Sequence, residues 1–222
     1  MKARLIVAAV ALSLLGSAAN AATQLDNQTV TTYFGTGNSP CCWSTATEQG
    51  LQIGLKAQIR GVASPIVPTA NVFTTSLGTN FNADFSIDPS QGYGTSLNGL
   101  SFRFTITDLA NNVSSTFNPV TFLGDNATDP SKPGAIQNSE FAGFGFMLGS
   151  DFNKNLNDTY KIQLTALGGS LASPLTVTDF VSEGTGLAGF AGGVPEPASW
   201  ALMMIGLGFV GSALRNRRVV HA

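Results

Sequence analysis

Four segments of the chain alternate strictly between apolar and polar residues, the period of two that is typical of a half-buried strand. They are residues 51–60, 81–88, 100–107 and 159–166. In the first of them Leu51, Ile53 and Leu55 fall on one face, opposite Gln52 and Lys56. One apolar face per strand predicts antiparallel sheets packed over a shared core.

Six further segments are apolar but less regular: residues 29–34, 72–76, 113–117, 120–123, 141–148 and 175–181. Turn-forming clusters separate the strand candidates at residues 110–112, 129–134 and 151–158, and no stretch shows the 3.6-residue period of a helix. This pattern predicts an all-β domain, an antiparallel β-sandwich with jelly-roll-like connections, with a closed barrel as the alternative. The 15 phenylalanines are expected to supply much of its core.

The first 21 residues have the form of a Sec-type signal peptide. Lys2 and Arg4 precede an apolar run over residues 5–15, and small residues at Ala19 and Ala21 form an A-x-A cleavage site. We expect signal peptidase to cleave after Ala21. The alternative, a buried N-terminal helix, does not suit the shortness of the run or its flanks.

The other end of the chain predicts a single transmembrane helix. Residues 198–214 are apolar, and at about 1.5 Å per residue they form a helix of about 25 Å, just long enough to cross a hydrocarbon core. Trp200 is placed as an interfacial aromatic, and Arg215, Arg217 and Arg218 are expected to stay in the cytoplasm. This orientation predicts a domain outside the inner membrane.

The residues before and within that helix carry a family resemblance. Pro195, Glu196 and Pro197, followed by Trp200 and the terminal arginines, resemble the PEP-CTERM sorting signal, a region also labelled ice-binding protein C-terminal domain. The resemblance implies a Gram-negative bacterium whose exosortase processes the protein during export to the cell surface or extracellular matrix. It also implies an association with exopolysaccharide and biofilm systems. An ordinary C-terminal membrane anchor is the alternative.

Between the two signals lies one predicted domain. Its segments are a signal peptide at 1–21, a β-sandwich at 22–183, a Gly-rich linker at 184–193 and the sorting signal at 194–218. Only 11% of the chain is charged, and residues 22–193 hold six basic against twelve acidic side chains. A domain with this net negative charge is not expected to bind nucleic acid.

Catalytic chemistry is restricted by the histidine count. The single histidine, His221, is the second residue from the C-terminus, so the central domain contains neither a Ser-His-Asp triad nor a His-ligated zinc site. Carboxylate pairs such as Asp84 with Asp88, or Asp125 with Asp129, would need a particular separation across a cleft to hydrolyse glycosides. We expect Asp84 and Asp88 to serve solubility on the polar face of a strand. The prediction is a non-enzyme without a cofactor, with a hydrolase as a further alternative.

Cys41 and Cys42 are adjacent, and in an exported protein two cysteines favour oxidation. Neighbouring Cα atoms are only about 3.8 Å apart, which is below the usual disulfide range. A strained vicinal disulfide, bridges between chains and two reduced thiols are therefore all open. A vicinal ring beside Trp43 would offer a rigid apolar platform for a sugar ring.

Residues 151–158 place Asp and Asn at alternate positions, like the first half of an EF-hand loop. The match fails because Leu156 stands at the Gly position and Ile162 at the position of the bidentate Glu. We therefore expect a solvated turn and no metal. Calcium held with Asp125 or Asp129 is the alternative.

These observations predict an exported, non-enzymatic protein at the cell surface or in the matrix. Its expected partners are signal peptidase, exosortase, the inner membrane during export and extracellular polysaccharide. The competing prediction is a carbohydrate- or calcium-binding β-sandwich on an ordinary anchor. Ice binding would need a regular Thr array, and no Thr-x-Thr repeat of fixed period is present.

Overall fold

The computed structural model describes residues 22–30, 39–62, 64–94 and 96–188 of the chain. The chain divides into two units, Met1–Phe190 and Ala191–Ala222, and all the described residues belong to the first. The architecture below is that of this first unit.

In the described residues eleven strands form two sheets. The strands are β1 Leu25–Gln28, β2 Trp43–Glu48, β3 Leu51–Ile59, β4 Val72–Thr75, β5 Phe81–Asp88, β6 Leu100–Asp108, β7 Val113–Phe117, β8 Ala127–Thr128, β9 Ile136–Phe141, β10 Asp158–Gly168 and β11 Leu175–Glu183. Sheet A has the order β1-β2-β3-β5-β9-β8, and sheet B has the order β4-β11-β10-β6-β7. Within the described ranges, helical structure is limited to one turn, α1 at Pro119–Phe122, and 3₁₀ turns at Pro89–Gln91 and Gly149–Asp151.

The four alternating segments of the sequence are strands β3, β5, β6 and β10, which lie inside the two sheets. Their apolar faces build one core between the sheets, where the ring centroids of Phe85 and Phe104 are 6.1 Å apart. Phe73, Phe81 and Phe102 are buried in the same core. The prediction of an all-β fold with a phenylalanine-rich core is therefore confirmed.

The strand pairing differs in one respect from the prediction of purely antiparallel sheets. β4 runs parallel to β11, so sheet B is mixed, while the other neighbouring strands pair antiparallel. Several strands that follow one another in sequence, such as β2 and β3 or β10 and β11, are hydrogen-bonded neighbours. Others, namely β3 with β5, β5 with β9, β4 with β11 and β6 with β10, are joined by crossovers, so the two sheets combine hairpins with crossovers.

Two of the less regular segments are not strands. Residues 120–123 fall largely in α1, where the Asn118 side chain accepts a hydrogen bond from the Val120 N–H and Pro119 provides the first turn. Residues 141–148 form successive turns, with Phe144 N donating to Phe141 O at 3.0 Å. Glycines interrupt residues 141–148 at positions 143 and 145, and turns form there in place of the hydrogen-bonded ladder of a strand.

Other differences lie near the N-terminus and at strands that lack alternation. Residues 29 and 30 of the predicted strand at 29–34 follow β1 and are not in a strand, and residues 31–38 lie outside the described residues. Strands β2 and β9 were missed because they are polar, yet Ser44 of β2 and Gln137 of β9 are fully buried. Polar strands of this kind give no period-two signal.

Candidate functional site

A buried polar cluster lies on the face of sheet A that points away from the shared core. We define it as the Lys56 cluster: Lys56 of β3, Asp84 of β5 and Ser139 of β9, which are successive partners across the three strands. Lys56 Nζ lies 3.7 Å from Asp84 Oδ2, and the side chains are 1% and 0% exposed. Ser139 Oγ donates to Asp84 Oδ1 at 2.5 Å. The cluster is a charged pair almost completely removed from water.

The segment before β2 supplies further partners for the lysine. Lys56 Nζ donates to the Ser39 carbonyl oxygen at 2.9 Å and lies 4.7 Å from the centre of the Trp43 ring. The Trp43 Nε1–H donates to the same Ser39 oxygen at 3.1 Å. The buried Lys56 ammonium thus contacts a carboxylate, a carbonyl oxygen and an aromatic face, which are the groups that stabilise a cation away from water.

Burial and pairing act in opposite directions on the ionisation of this pair. Burial raises the pKa of Asp84 to about 7, while the charge of Lys56 and the Ser139 hydroxyl oppose that rise. Burial also lowers the pKa of Lys56, and Asp84 opposes that shift.

The expectation that Asp84 and Asp88 serve solubility was wrong, because both are buried and Asp88 Oδ1 accepts the Ser90 N–H at 2.8 Å.

The two cysteines are bonded to each other. The Cys41 and Cys42 sulfurs are 2.03 Å apart, and no free cysteine is present in the described residues. Trp43, however, is 0% exposed. The hypothesis that Trp43 forms a sugar platform beside the disulfide was therefore wrong, since the ring faces Lys56 and not solvent.

The Asp- and Asn-rich residues 151–158 form a turn held by its own side chains. Asn153 Oδ1 accepts the Asn155 N–H at 3.1 Å, and Asn157 Oδ1 accepts the Thr185 N–H at 2.9 Å. Oxygens that a calcium loop would direct at a cation are here used by the backbone.

The other carboxylates weighed with this loop are also engaged locally. Asp125 Oδ1 accepts the Asn138 side-chain N–H at 3.0 Å, and Asp129 Oδ1 accepts the Ser131 N–H at 2.8 Å. Within the ranges that the structure describes, no three His, Cys, Asp or Glu side chains meet as metal ligands.

A second buried cluster lies at one end of the core face of sheet B and escaped the sequence reasoning. We define it as the Glu183 cluster: Asp108, Asp158, Tyr160 and Glu183, with Asp158 opposite Glu183 and Tyr160 opposite Asp108. All four side chains are buried, and neither carboxylate oxygen of Glu183 has a hydrogen-bond partner among the residues that the structure describes. The sequence gives little indication of this cluster, because Asp108, Asp158 and Glu183 each stand at the end of a strand and form no motif.

Burial and mutual repulsion shift the ionisation of this cluster. Burial, reinforced by Asp158, raises the pKa of Glu183 to about 7, and Lys154 opposes the rise. Burial and the neighbouring Asp108 also raise the pKa of Asp158. A carboxyl whose pKa is higher in the folded state stabilises the fold below its unfolded pKa, and this contribution is lost as the pH rises through the folded value.

We expect Glu183→Gln to stabilise the protein at pH 8 by about 1–3 kcal/mol and to change it little at pH 4.5, because the amide removes the cost of ionising Glu183. Urea unfolding of both proteins at the two pH values measures the difference. Asp151→Asn, at an exposed position, is the matched control and should show no such pH dependence. A Glu183→Gln effect that is equal at both pH values would contradict the prediction.

A shallow cleft of about 330 Å³ lies where β9 leads into the turns before β10. We call it the Phe152 cleft; it is lined by Asn80, Phe141, Gly143, Gly149, Phe152, Asn153, Lys154 and Asn155. Its described lining combines aromatic rings, side-chain amides and a lysine, without a carboxylate. Two carboxylates flanking a glycosidic bond, the usual requirement for hydrolysis, are not supplied by this lining.

The predicted export residues lie outside the described residues. These are Ala19 and Ala21 at the cleavage site, Pro195, Glu196, Pro197 and Trp200 in the motif, and Arg215, Arg217 and Arg218 after it. The predicted transmembrane helix at 198–214 is also outside them. Among the described residues, no helix is both long enough and apolar enough to cross a bilayer.

Comparison with known families identifies one segment of the chain. Residues 193–218 match the PEP-CTERM protein-sorting motif. This match covers the Pro-Glu-Pro triplet, Trp200 and the arginines, and it confirms the resemblance found in the sequence. The motif implies an exported protein that an exosortase sorts to the cell surface. No curated protein matches the chain.

Proposed function

We propose that the chain is a non-enzymatic protein of the cell surface or extracellular matrix that associates with extracellular polysaccharide after its sorting by exosortase. The PEP-CTERM motif at residues 193–218 carries the proposal, because it implies export and sorting to the cell surface. There, the accessible macromolecules include the secreted polysaccharides with which such signals are associated.

The chemistry of the first unit supports a binding role over catalysis. The only histidine of the sequence is His221, and the buried carboxylates Asp84 and Asp88 are held by hydrogen bonds within the fold. The Phe152 cleft offers rings and amides, which recognise ligands without performing acid–base chemistry. This cleft also favours the carbohydrate-binding form of the competing prediction over its calcium-binding form.

Co-sedimentation with the matrix polysaccharide of the producing bacterium tests the proposal. Protein recovered from the cell surface should sediment with the polysaccharide and should release no new reducing ends from it. Matrix from a strain that makes no exopolysaccharide is the control and should leave the protein in solution. Failure to sediment with polysaccharide would contradict the association, and new reducing ends would contradict the non-enzymatic role.

A further inference from the structure

The floor of the Phe152 cleft is a rigid pair of aromatic rings. Phe141 and Phe152 are half-buried, and their centroids are 5.5 Å apart in an edge-to-face arrangement. Phe152 packs on Phe81 and Tyr160 as well, so its orientation is fixed by the core. A ring held in this way can receive the C–H face of a sugar at little cost in conformational entropy.

Gly143 permits the rings to approach the backbone closely. A Cβ atom at this position would lie 2.6 Å from Phe141 Cε1 and 3.2 Å from Phe152 Cδ1. Any side chain at residue 143 would therefore displace the Phe141 ring and fill part of the cleft. The concavity depends on the absence of a side chain at this position.

Amide side chains surround the aromatic floor. Asn155 is exposed, Asn80 is half-buried, and neither side chain makes a hydrogen bond within the described part of the chain. Asn153 uses its Oδ1 atom for the Asn155 N–H and retains its Nδ2 donors. Because each amide offers both donors and an acceptor, the set matches the neighbouring hydroxyls of a sugar, which donate and accept together.

Positive charge is concentrated beside the cleft in an otherwise acidic domain. Lys154 lines it, and the guanidinium carbon of Arg60 lies 4.6 Å from the centre of the Phe141 ring and 5.2 Å from that of Phe144. Within the described ranges neither basic group has a carboxylate within 4.0 Å. The charge of Arg60 opposes the rise in the pKa of Glu140 that burial causes. The Glu140 side chain is nevertheless buried and forms no salt bridge with Arg60.

We propose that the Phe152 cleft binds a carboxylated sugar unit of an acidic polysaccharide. The ring of the sugar packs on Phe152, its hydroxyls bond the asparagine amides, and its carboxylate is paired with Lys154 and the neighbouring Arg60. This inference rests on the proposed function and names the polysaccharide class and the place where it binds. Charge complementarity favours an acidic sugar, since Lys154 and Arg60 both lie at the cleft and neither has a carboxylate within 4.0 Å among the described residues.

Isothermal titration with a defined oligosaccharide tests the site on the purified protein. The probe is a galacturonic acid hexamer, and a galactose hexamer is the neutral comparison. We expect measurable binding of the acidic hexamer and affinity at least about tenfold weaker for the neutral one. Lys154→Gln should weaken the acidic hexamer about tenfold, and Asn155→Ala by a smaller factor.

Lys161→Gln is the matched control, because it removes the same charge from β10 at a position outside the cleft lining. It should bind the acidic hexamer as the wild type does. Equal losses for Lys154→Gln and Lys161→Gln would show general charge attraction and overturn the site. Thermal melts of each variant distinguish lost binding from lost folding.

The outcome separates this inference from the proposed function. If the protein sediments with matrix polysaccharide but binds neither hexamer, the cleft assignment is wrong and the polysaccharide association stands. If both hexamers bind equally, the acidic class is wrong. If sedimentation and hexamer binding both fail, the proposed function fails as well.

Discussion

Replacing Pro195, Glu196 and Pro197 together with alanine is expected to abolish sorting, leaving the protein unprocessed in the cell-envelope fraction. The apolar residues 198–214 and the arginines remain in this variant, so the segment predicted to hold the chain in the membrane is unchanged. The triplet is lost, and with it the extended backbone that two prolines predict before the apolar residues. Immunoblotting of envelope, surface and medium fractions measures the result.

Val194→Ala is the control for this substitution, because it changes the neighbouring residue and leaves the triplet intact. It should be processed and sorted like the wild type. Deletion of the exosortase gene should reproduce the effect of the triple substitution. If the triple variant still reached the surface in the wild-type amount, the triplet would not be the signal that directs the protein there.

Asp84→Ala is expected to destabilise the fold by about 3–5 kcal/mol, because it leaves the Lys56 ammonium buried without its carboxylate. For a chain of this size such a loss lowers the melting temperature by about 10 °C. Urea unfolding and thermal melting of the purified variant measure the effect. Asp151→Ala removes an exposed carboxylate and should change stability by about 0.5 kcal/mol or less.

The double variant Lys56→Met with Asp84→Leu isolates the reason for that loss. Both buried charges are absent from it, so it should be more stable than Asp84→Ala despite carrying one more substitution. If the double variant were less stable than Asp84→Ala, the cost would lie in packing and not in an unpaired buried lysine.

The central strands could be predicted from the sequence because apolar and polar residues alternate along each of them with a period of two. The prediction of strand β10, for example, follows from Tyr160, Ile162 and Leu164 alternating with Lys161 and Gln163. Strands β2 and β9 could not be recognised in this way. Their buried polar residues, such as Gln137 bonded to Ser86 at 2.9 Å, are satisfied by partners distant in sequence.

The burial of Lys56 and Asp84 was beyond sequence reasoning for a related reason. Both residues occupy the polar positions of alternating strands, where the period-two rule places them in water. In the structure this face of sheet A is covered, and Ser39 and Trp43 contact the lysine. Periodicity identifies the two faces of a strand, but it does not show whether a second segment covers the outer one.

The sorting motif and the Phe152 cleft differ in how they can be found. The motif is contiguous, so its residue types in order identify it, and the family match confirms it at residues 193–218. The cleft joins Asn80 to Phe141 and Phe152 from separate segments, which only the fold brings together. The Phe-Gly run near Phe141 was a signal for it, although the apolar character of residues 141–148 favoured a strand there.

The mass of the C-terminal peptide of protein recovered from the cell surface tests the central claim most directly. Sorting by exosortase predicts a chain that ends before Arg215, so the peptide containing Arg217 and Arg218 should be absent from the surface fraction. Its recovery, intact through Arg218 from surface-released protein, would contradict the account and would favour an ordinary membrane anchor.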